Sequence, residues 1–469
     1  MKVVFIGGGS QHLLPIIRGI LSDKRIISDS GEIELFDIYN ERAEAMGRMI
    51  MKSPEFAGSG CEIKWSKTLE EALPGADAVA VILMGSTQES HAKGMVASTY
   101  RNFIASDNIS LNGSFLGVKT SKIISNLTAK MEKYCPEALL MDFANPEAVI
   151  SGLVNNHTGI QAVGVCAGAT NHQWDLTRLM GKDEQCTDYD VEAAGINHMS
   201  FIMNGNLHGD DLFNLLDQTL KNGLKFPEFR TSYSDVQTRN LKIGLTKMAD
   251  IYRELGVLMF SSEFDGLMHL CYEESLELFA EDRQKFMAMS YDEQVKSRTR
   301  ITPEKREELT KSFDKFLDQE LDQDFWENYQ KTDGRFGIND QHIMVKILQG
   351  LSGAEKSKVV VSRPNYGAVE GFKNRTVLEY SNYIYGKEIF PAGKYSIPDS
   401  VYGMTSALAT HQTMVAEAIG EEDPKKLAQA MLAYPIRSYS KELRELCREL
   451  VKINYEEFPE KLKPVAEFF

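Results

Sequence analysis

Gly7, Gly8, Gly9 and Ser10 follow directly on the apolar run Val3-Val4-Phe5-Ile6, and a second apolar run, Ile33-Glu34-Leu35-Phe36, ends in Asp37. A buried strand that turns on glycine lets backbone N–H groups and the start of a helix approach an anion that a Cβ would hold away. An acid at the end of the next strand can accept hydrogen bonds from both hydroxyls of a ribose, and it repels a 2′-phosphate. Gly7, Gly9, Ser10 and Asp37 therefore read as the pyrophosphate and ribose contacts of a site for NAD rather than NADP. His12 stands where the third glycine of G-x-G-x-x-G would fall. A ligand-free turn between strand and helix is the plain alternative.

Two further segments combine apolar runs with soft or borderline metal ligands: Gly164-Val165-Cys166 and Ala194-Gly195-Ile196-Asn197-His198-Met199-Ser200. A thiolate and an imidazole suit a divalent transition ion, and two protein ligands leave positions open for substrate oxygens. By residue type alone, the cysteine is equally a buried apolar filler and the histidine a hydrogen-bonded core residue.

The elements that must position these residues alternate through the first third of the chain. Strands are expected at Val3–Ile6, Glu32–Phe36 and Ala78–Leu83, with helices near His12–Leu21 and Glu41–Met51. Further strands end in Asn145-Pro146 and in Cys166. The pattern is a doubly wound parallel sheet of the Rossmann type, in which ligands sit beyond the carboxyl ends of the strands. Met84, Asn145 and Cys166 stand at such ends. After about Gly205 the pattern turns mostly helical, with stretches at Leu276–Lys285, Pro303–Leu321, Leu408–Ile419 and Pro424–Leu432, and a turn at Pro364-Asn365-Tyr366-Gly367. This divides the chain into a dinucleotide-binding unit, 1–200, and a mostly helical α+β unit, 201–469, for substrate, metal and oligomer contacts.

A net charge of −15 over 469 residues provides no basic surplus for nucleic acid or anionic membranes. No apolar stretch has the length of a membrane span, and Met1–Ile6 is too short for a signal sequence, so a cytoplasmic protein is expected. Six cysteines without CxxC pairs read as reduced thiols.

Taken in order, the glycine run, Phe36-Asp37-Ile38, Ala144-Asn145-Pro146, Gly164-Val165-Cys166 and Gly195–Ser200 resemble the NAD- and metal-dependent glycosidases of glycoside hydrolase family 4. Glu254-Leu255-Gly256 to Ser261-Ser262-Glu263 is similar to its α-galactosidase branch, and Pro364–Ala368 to its C-terminal Asn-x-Gly turn. The resemblance implies a lactate/malate-dehydrogenase-like domain whose NAD oxidises the sugar at C3 and later returns the hydride. Between those steps a base removes the acidified C2 proton and the glycosidic oxygen departs. It implies Cys166 and His198 as ligands of Mn²⁺ or another divalent ion. Asn145 and Asn197 would contact the sugar, with Asn145 and Met84 also beside the cofactor. Glu263 and Asp265 become the candidate bases, Tyr252 a weaker one, and Asp107 the family's acidic residue. Each carboxylate has a capping or surface role as its alternative.

Met84, where phosphosugar-specific members carry arginine nearby, implies an unphosphorylated glycoside, for instance an α-galactoside or a uronic-acid glycoside. Lys119 reads as a solvated lysine by default, or as a remaining cation near that loop. Ala167, after the cysteine, cannot transfer a proton as the family's residues there can. A net NAD-dependent sugar or hydroxy-acid oxidoreductase is the alternative reading, and a dinucleotide-sensing binding protein the third. By resemblance, a homodimer or homotetramer is expected.

Overall fold

The computed structural model describes residues 1–27, 31–166, 168–182, 189–229, 234–299, 301–319, 321–332, 339 and 342–469. Alternate residues of the first strand, β1 (Lys2–Ile6), are buried on opposite sides: Val4 and Ile6 in one core, Val3 and Phe5 in another. A strand buried on both faces belongs inside a parallel sheet covered by helices. β2 (Glu32–Phe36), β3 (Glu62–Ser66), β4 (Ala78–Val81), β5 (Leu139–Asp142) and β6 (Ala162–Gly164) join β1 in parallel. Their order, β3-β2-β1-β4-β5-β6, reverses between β1 and β4 and leaves a crevice beyond the carboxyl ends there.

Helices Leu13–Ser22 and Asn40–Met51 pack on one face of this sheet, together with Ile343–Leu351 from far along the chain. Helices Leu111–Tyr134, Glu147–His157 and Asp399–Gly420 pack on the other. The expected strands and helices of the first third are present, each within a few residues of its expected bounds. Among the described residues, no helix is long and apolar enough to cross a membrane.

The second half is less helical than its pattern reads. β7 (Tyr189–Ile196) and β8 (Met199–Leu207) form a hairpin, and the short β9 (Asp210–Asp211) follows. β10 (Ser357–Pro364) and β11 (Val377–Tyr385) pair antiparallel, with β12 (Glu388–Pro391) on β11. β10 meets β6 at Ser362 and Gly164, and β11 meets β7 at Glu379 and Gly195, so the antiparallel strands extend the parallel sheet. Residue 200 therefore stands inside a sheet shared by both halves. The stretch Leu276–Lys285 is two helices, Tyr272–Leu278 and Ala280–Met287, that meet at Phe279. The Pro364–Gly367 turn joins β10 to the segment before β11. Buried Asn365 staples it, donating to the carbonyls of Val369 (2.9 Å) and Phe372 (3.0 Å) and accepting from the Val369 N–H (2.7 Å).

Candidate active site at the carboxyl edge of the sheet

Gly7 leaves β1 with φ +87°, and a Cβ there would lie 2.0 Å from the Ile82 carbonyl oxygen. Glycine alone permits this close turn. The N–H groups of Gly7 and Gly8 bond to the Phe36 carbonyl, which fixes the loop beside Asp37. Asp37 Oδ2 accepts from the Gly9 N–H (3.0 Å) and Oδ1 from the Tyr39 N–H (2.9 Å). The helix Leu13–Ser22 begins without a side-chain cap, and an uncapped helix start of this kind suits an anion. Ser10 closes the loop through its N–H to the Gly7 carbonyl (3.0 Å). His12 is exposed at the helix start with φ −68°, a backbone that any residue adopts.

Across the crevice, Cys166 lies just past β6, and His198 sits in the two-residue turn between β7 and β8 at φ +66°. Cys166 Sγ is 3.8 Å from His198 Nε2. Sulfur and nitrogen bound to one ion in tetrahedral geometry stand about 3.6 Å apart, so this pair spans a cation with little movement. On the other side of the ring, His198 Nδ1 is 3.0 Å from Glu263 Oε2 and 3.6 Å from Asp265 Oδ2. Burial alone would lower the His198 pKa, but Glu263 and the Cys166 sulfur outweigh it and raise it well above the usual value. Burial pushes the Cys166 thiol up to about 11, against the pull of His198. The surrounding negative charge that favours a protonated imidazole equally favours a metal cation there.

Backbone contact explains how the carboxylates reach the ring. Glu263 precedes the helix Phe264–Leu270, and a Cβ on Gly266 in its first turn would lie 1.9 Å from the His198 carbonyl oxygen. Asp175, buried on the helix Gly168–Leu179, accepts from the Ser262 N–H (3.1 Å) and hydroxyl (2.6 Å) and holds the approach to that helix. Asp265 is buried; its Oδ2 accepts from the Ile109 N–H (3.3 Å), and its carbonyl oxygen is 2.6 Å from His269 Nδ1. Glu263 remains the more open carboxylate, its side chain 39% exposed against 7% for Asp265.

Asn108, next to Asp107, reaches this site. Its side-chain amide donates to Asn197 Oδ1 and, at 3.5 Å, to Asn145 Oδ1. Asn108 Oδ1 is buried and has no hydrogen-bond partner among the described residues. Asp107 is itself half-buried. Asn145, after β5, is held through its carbonyl by the Thr120 hydroxyl (3.3 Å). Asn197, expected at the substrate, is instead fully buried, and its side chain bridges Asn108 and Glu379. Met84 follows β4, its sulfur accepting from Gln88 Nε2 at 3.1 Å.

Lys119 is not a solvated lysine. It is 3% exposed and its ammonium donates to Ser86 Oγ (2.6 Å), Ser90 Oγ (3.2 Å) and Asn454 Oδ1 (2.6 Å). Burial lowers its pKa to about 8. The Tyr252 hydroxyl donates to Asp217 (3.0 Å), and burial followed by that carboxylate pushes its pKa up to about 12. Ala167 and Cys186 lie outside the described residues. Among the described residues, Cys61, Cys135, Cys166, Cys271 and Cys447 form no disulfide. Among the described residues, no group of three or more His, Cys, Asp and Glu side chains is arranged to hold a metal. Sequence reasoning missed Asn108, Asp175 and Glu379; only Asn108 carried a local signal, as the neighbour of Asp107.

Comparison with known proteins places the chain. It is 24% identical over 456 residues to an alpha-galacturonidase of Thermoanaerobacter italicus, covering 93% of this chain and 92% of that one. It is 21% identical to the alpha-galactosidase of Bacillus subtilis, over 98% and 99% of the two chains. Among solved structures, the 6-phospho-beta-glucosidase of Thermotoga maritima with manganese, NAD⁺ and glucose-6-phosphate has the same fold, with a TM-score of 0.73 at 16% identity over 98% of this chain and 99% of that one. The model of the family 4 glycosyl hydrolases matches residues 2–182, and that of the family's C-terminal domain residues 193–436. The chain belongs to the family 4 glycosyl hydrolases and is an enzyme of that glycosidase family.

Proposed function

We propose that this enzyme is a NAD- and divalent-metal-dependent glycosidase acting on a small unphosphorylated glycoside, with a galactoside or a galacturonide as the substrate class. The observation that carries the reading is the 3.8 Å approach of Cys166 Sγ to His198 Nε2 beyond the sheet, on the crevice that begins at Gly7. NAD and Mn²⁺, present in the related Thermotoga maritima structure, fit the residues found: a glycine cradle with Asp37 for the dinucleotide, and a thiol and imidazole for the ion. When bound, they would supply hydride transfer at C3 and polarisation of the adjacent sugar oxygens.

The chain's own residues then have distinct tasks. Cys166 and His198 hold the ion. Asn145 orients the sugar hydroxyls, and buried Asn108 holds Asn145 through its side-chain amide at 3.5 Å. Glu263 removes the C2 proton, because it alone of the candidate carboxylates combines contact with His198 and access to solvent. Asp265 acts indirectly, anchoring the Ile109 backbone next to Asn108. An unphosphorylated substrate is supported by Lys119, whose three protons are already donated to Ser86, Ser90 and Asn454, and by Met84 on the loop that carries Ser86.

The test is to incubate the purified protein with NAD, Mn²⁺ and a panel of aryl glycosides, following aglycone release and cofactor absorbance together. Aglycone release dependent on both additions, without accumulation of NADH, is the expected result. NADH formed in proportion to substrate would replace hydrolysis with net oxidation, and silence in both channels would refute the proposal.

A further inference from the structure

We infer that Glu379 is a positioning residue for the metal-binding histidine, gripping both sides of the turn that carries His198; the inference rests on Cys166 and His198 being the ligands. Glu379 lies on β11 opposite Gly195 of β7, and Gly195 lies opposite Ser200 of β8. Residues directly opposite in a sheet share a face. Gly195 places no side chain between Glu379 and β8, and a Cβ there would lie 2.5 Å from Ser200 Cα. The carboxylate passes over this gap. Its Oε1 accepts from Asn197 Nδ2 at 3.0 Å, and its Oε2 accepts from the Ser200 hydroxyl.

Asn197 and Ser200 bracket the tip of the hairpin, whose innermost pair is Ile196 and Met199. His198, between them, adopts a left-handed backbone at φ +66°, which an L side chain populates only when its surroundings enforce it. Glu379 supplies that enforcement from one strand over, and Asn108 supports Asn197 from the opposite direction. All three side chains are buried, Glu379 at 2% exposure, so the arrangement does not relax into solvent. The effect on the ion is indirect, through the direction in which Nε2 points at Cys166. Loss of a partner bonded directly to a metal-binding imidazole typically lowers metal affinity about 10–100-fold. Glu379, which acts through Asn197 and Ser200 on either side of His198, belongs at the lower end of that range.

Glu379→Gln separates geometry from charge. The amide can still accept from Asn197, and it can donate to Ser200 where the carboxylate accepted. Glu379→Met keeps the volume and removes both bonds. Measured by the electron paramagnetic resonance of free Mn²⁺ on purified protein without substrate, Glu379→Met is expected to bind Mn²⁺ at least tenfold more weakly. NAD affinity is expected to stay within about twofold, and Glu379→Gln should restore Mn²⁺ affinity to within threefold of the unaltered protein. With Co²⁺ as probe, the thiolate-to-cobalt absorption band should weaken or shift in Glu379→Met and return in Glu379→Gln.

A folded Glu379→Met protein with unaltered Mn²⁺ affinity and cobalt band would overturn the inference. Should that variant fail to fold, Asn197→Ala carries the same expectation, and its binding Mn²⁺ normally would be equally decisive. Cys166→Ser isolates the foundation: Mn²⁺ binding unaffected by that change would remove the ligand assignment itself, whereas its loss beside a silent Glu379→Met would remove only the positioning role.

Discussion

A methyl group on residue 7 would meet a carbonyl oxygen at 2.0 Å, on a backbone at φ +87°. Both faults act on the loop proposed to cradle the pyrophosphate, so Gly7→Ala is expected to weaken NAD binding by about 30-fold, or about 2 kcal/mol, and to lower the melting temperature. Fluorescence titration of NAD checks this, and a folded variant of undiminished affinity would place the dinucleotide elsewhere. For Glu263→Gln, kcat is expected to fall at least ~100-fold, the lower end of what a positioned proton acceptor contributes, while NAD affinity holds. The unaltered enzyme turning over in D₂O should leave deuterium at C2 of the released sugar; product without deuterium there, together with no slowing on a C2-deuterated substrate, would count against C2 proton abstraction. Gly7, Asp37, Cys166 and His198 were legible because each sits at the end of an apolar run, where local pattern marks the strand end. Asp175 and Glu379 were not, since each acquires meaning only from a distant partner: Asn197 and Glu379 are 182 residues apart in sequence, and Asn108 had only its neighbour Asp107 to point to it.

Elements were legible to the degree that their burial was uniform. β1, β4 and β5 are apolar save for Lys2 at the start of β1 and Asp142 at the end of β5, their apolar residues are buried on both faces, and their run length and terminators gave them away. β11 is buried too, yet it reads Val-Leu-Glu-Tyr-Ser-Asn-Tyr-Ile-Tyr. Its polar residues bond inside: Glu379 accepts from Asn197 and Ser200, Ser381 Oγ accepts from the Ala193 N–H at 3.0 Å and Asn382 Nδ2 donates to the Tyr380 carbonyl at 2.7 Å, while Asn382 Oδ1 has no partner among the described residues. A strand whose polar groups find partners within the sheet loses the alternation that sequence reading depends on. The helix Phe264–Leu270 offers a prediction at this scale. Replacing a helical glycine by alanine ordinarily favours the helix by about 0.5–1 kcal/mol. At Gly266 the sign should invert, because the added Cβ would lie 1.9 Å from the His198 carbonyl oxygen and force the helix away from the turn. Gly266→Ala is therefore expected to lower both the melting temperature and the Mn²⁺ affinity. A stabilised variant with intact metal binding would show that helix and turn are not coupled.

On the scale of the whole molecule, burial keeps three histidines neutral, His269, His342 and His411, and the last two, on opposite faces of the sheet, are the ones that bear most on stability in acid. His342 caps the helix Ile343–Leu351, accepting from the Met344 N–H at 3.2 Å, and burial lowers its pKa to about 4. His411, on the helix Asp399–Gly420, stands between the Ser114 hydroxyl (2.7 Å) and the Ala430 carbonyl (2.8 Å), and burial likewise lowers it to about 4. In the unfolded chain both return to about 6.5. A depressed folded pKa means the unfolded state binds more protons between pH 6.5 and pH 4, so the stabilisation is complete above pH 6.5 and is lost as the pH falls to 4. The full effect is about 3 kcal/mol for each histidine. Buried Asp142, Glu147 and Glu379 work in the opposite direction: burial raises their pKa values, so they hold protons more firmly when folded and favour the folded state as the pH drops. The two effects overlap in the same window, and the pH profile of the unaltered protein alone would not separate them. A difference measurement does, because the carboxyl contribution is common to both proteins. Urea unfolding of His411→Gln, whose amide can still bond Ala430 and Ser114, is expected to differ from the unaltered protein by an offset that is constant above pH 6.5 and shifts in the variant's favour as the pH falls towards 4. A difference that does not change with pH across that window would mean that His411 is protonated as readily in the folded protein as in the unfolded chain.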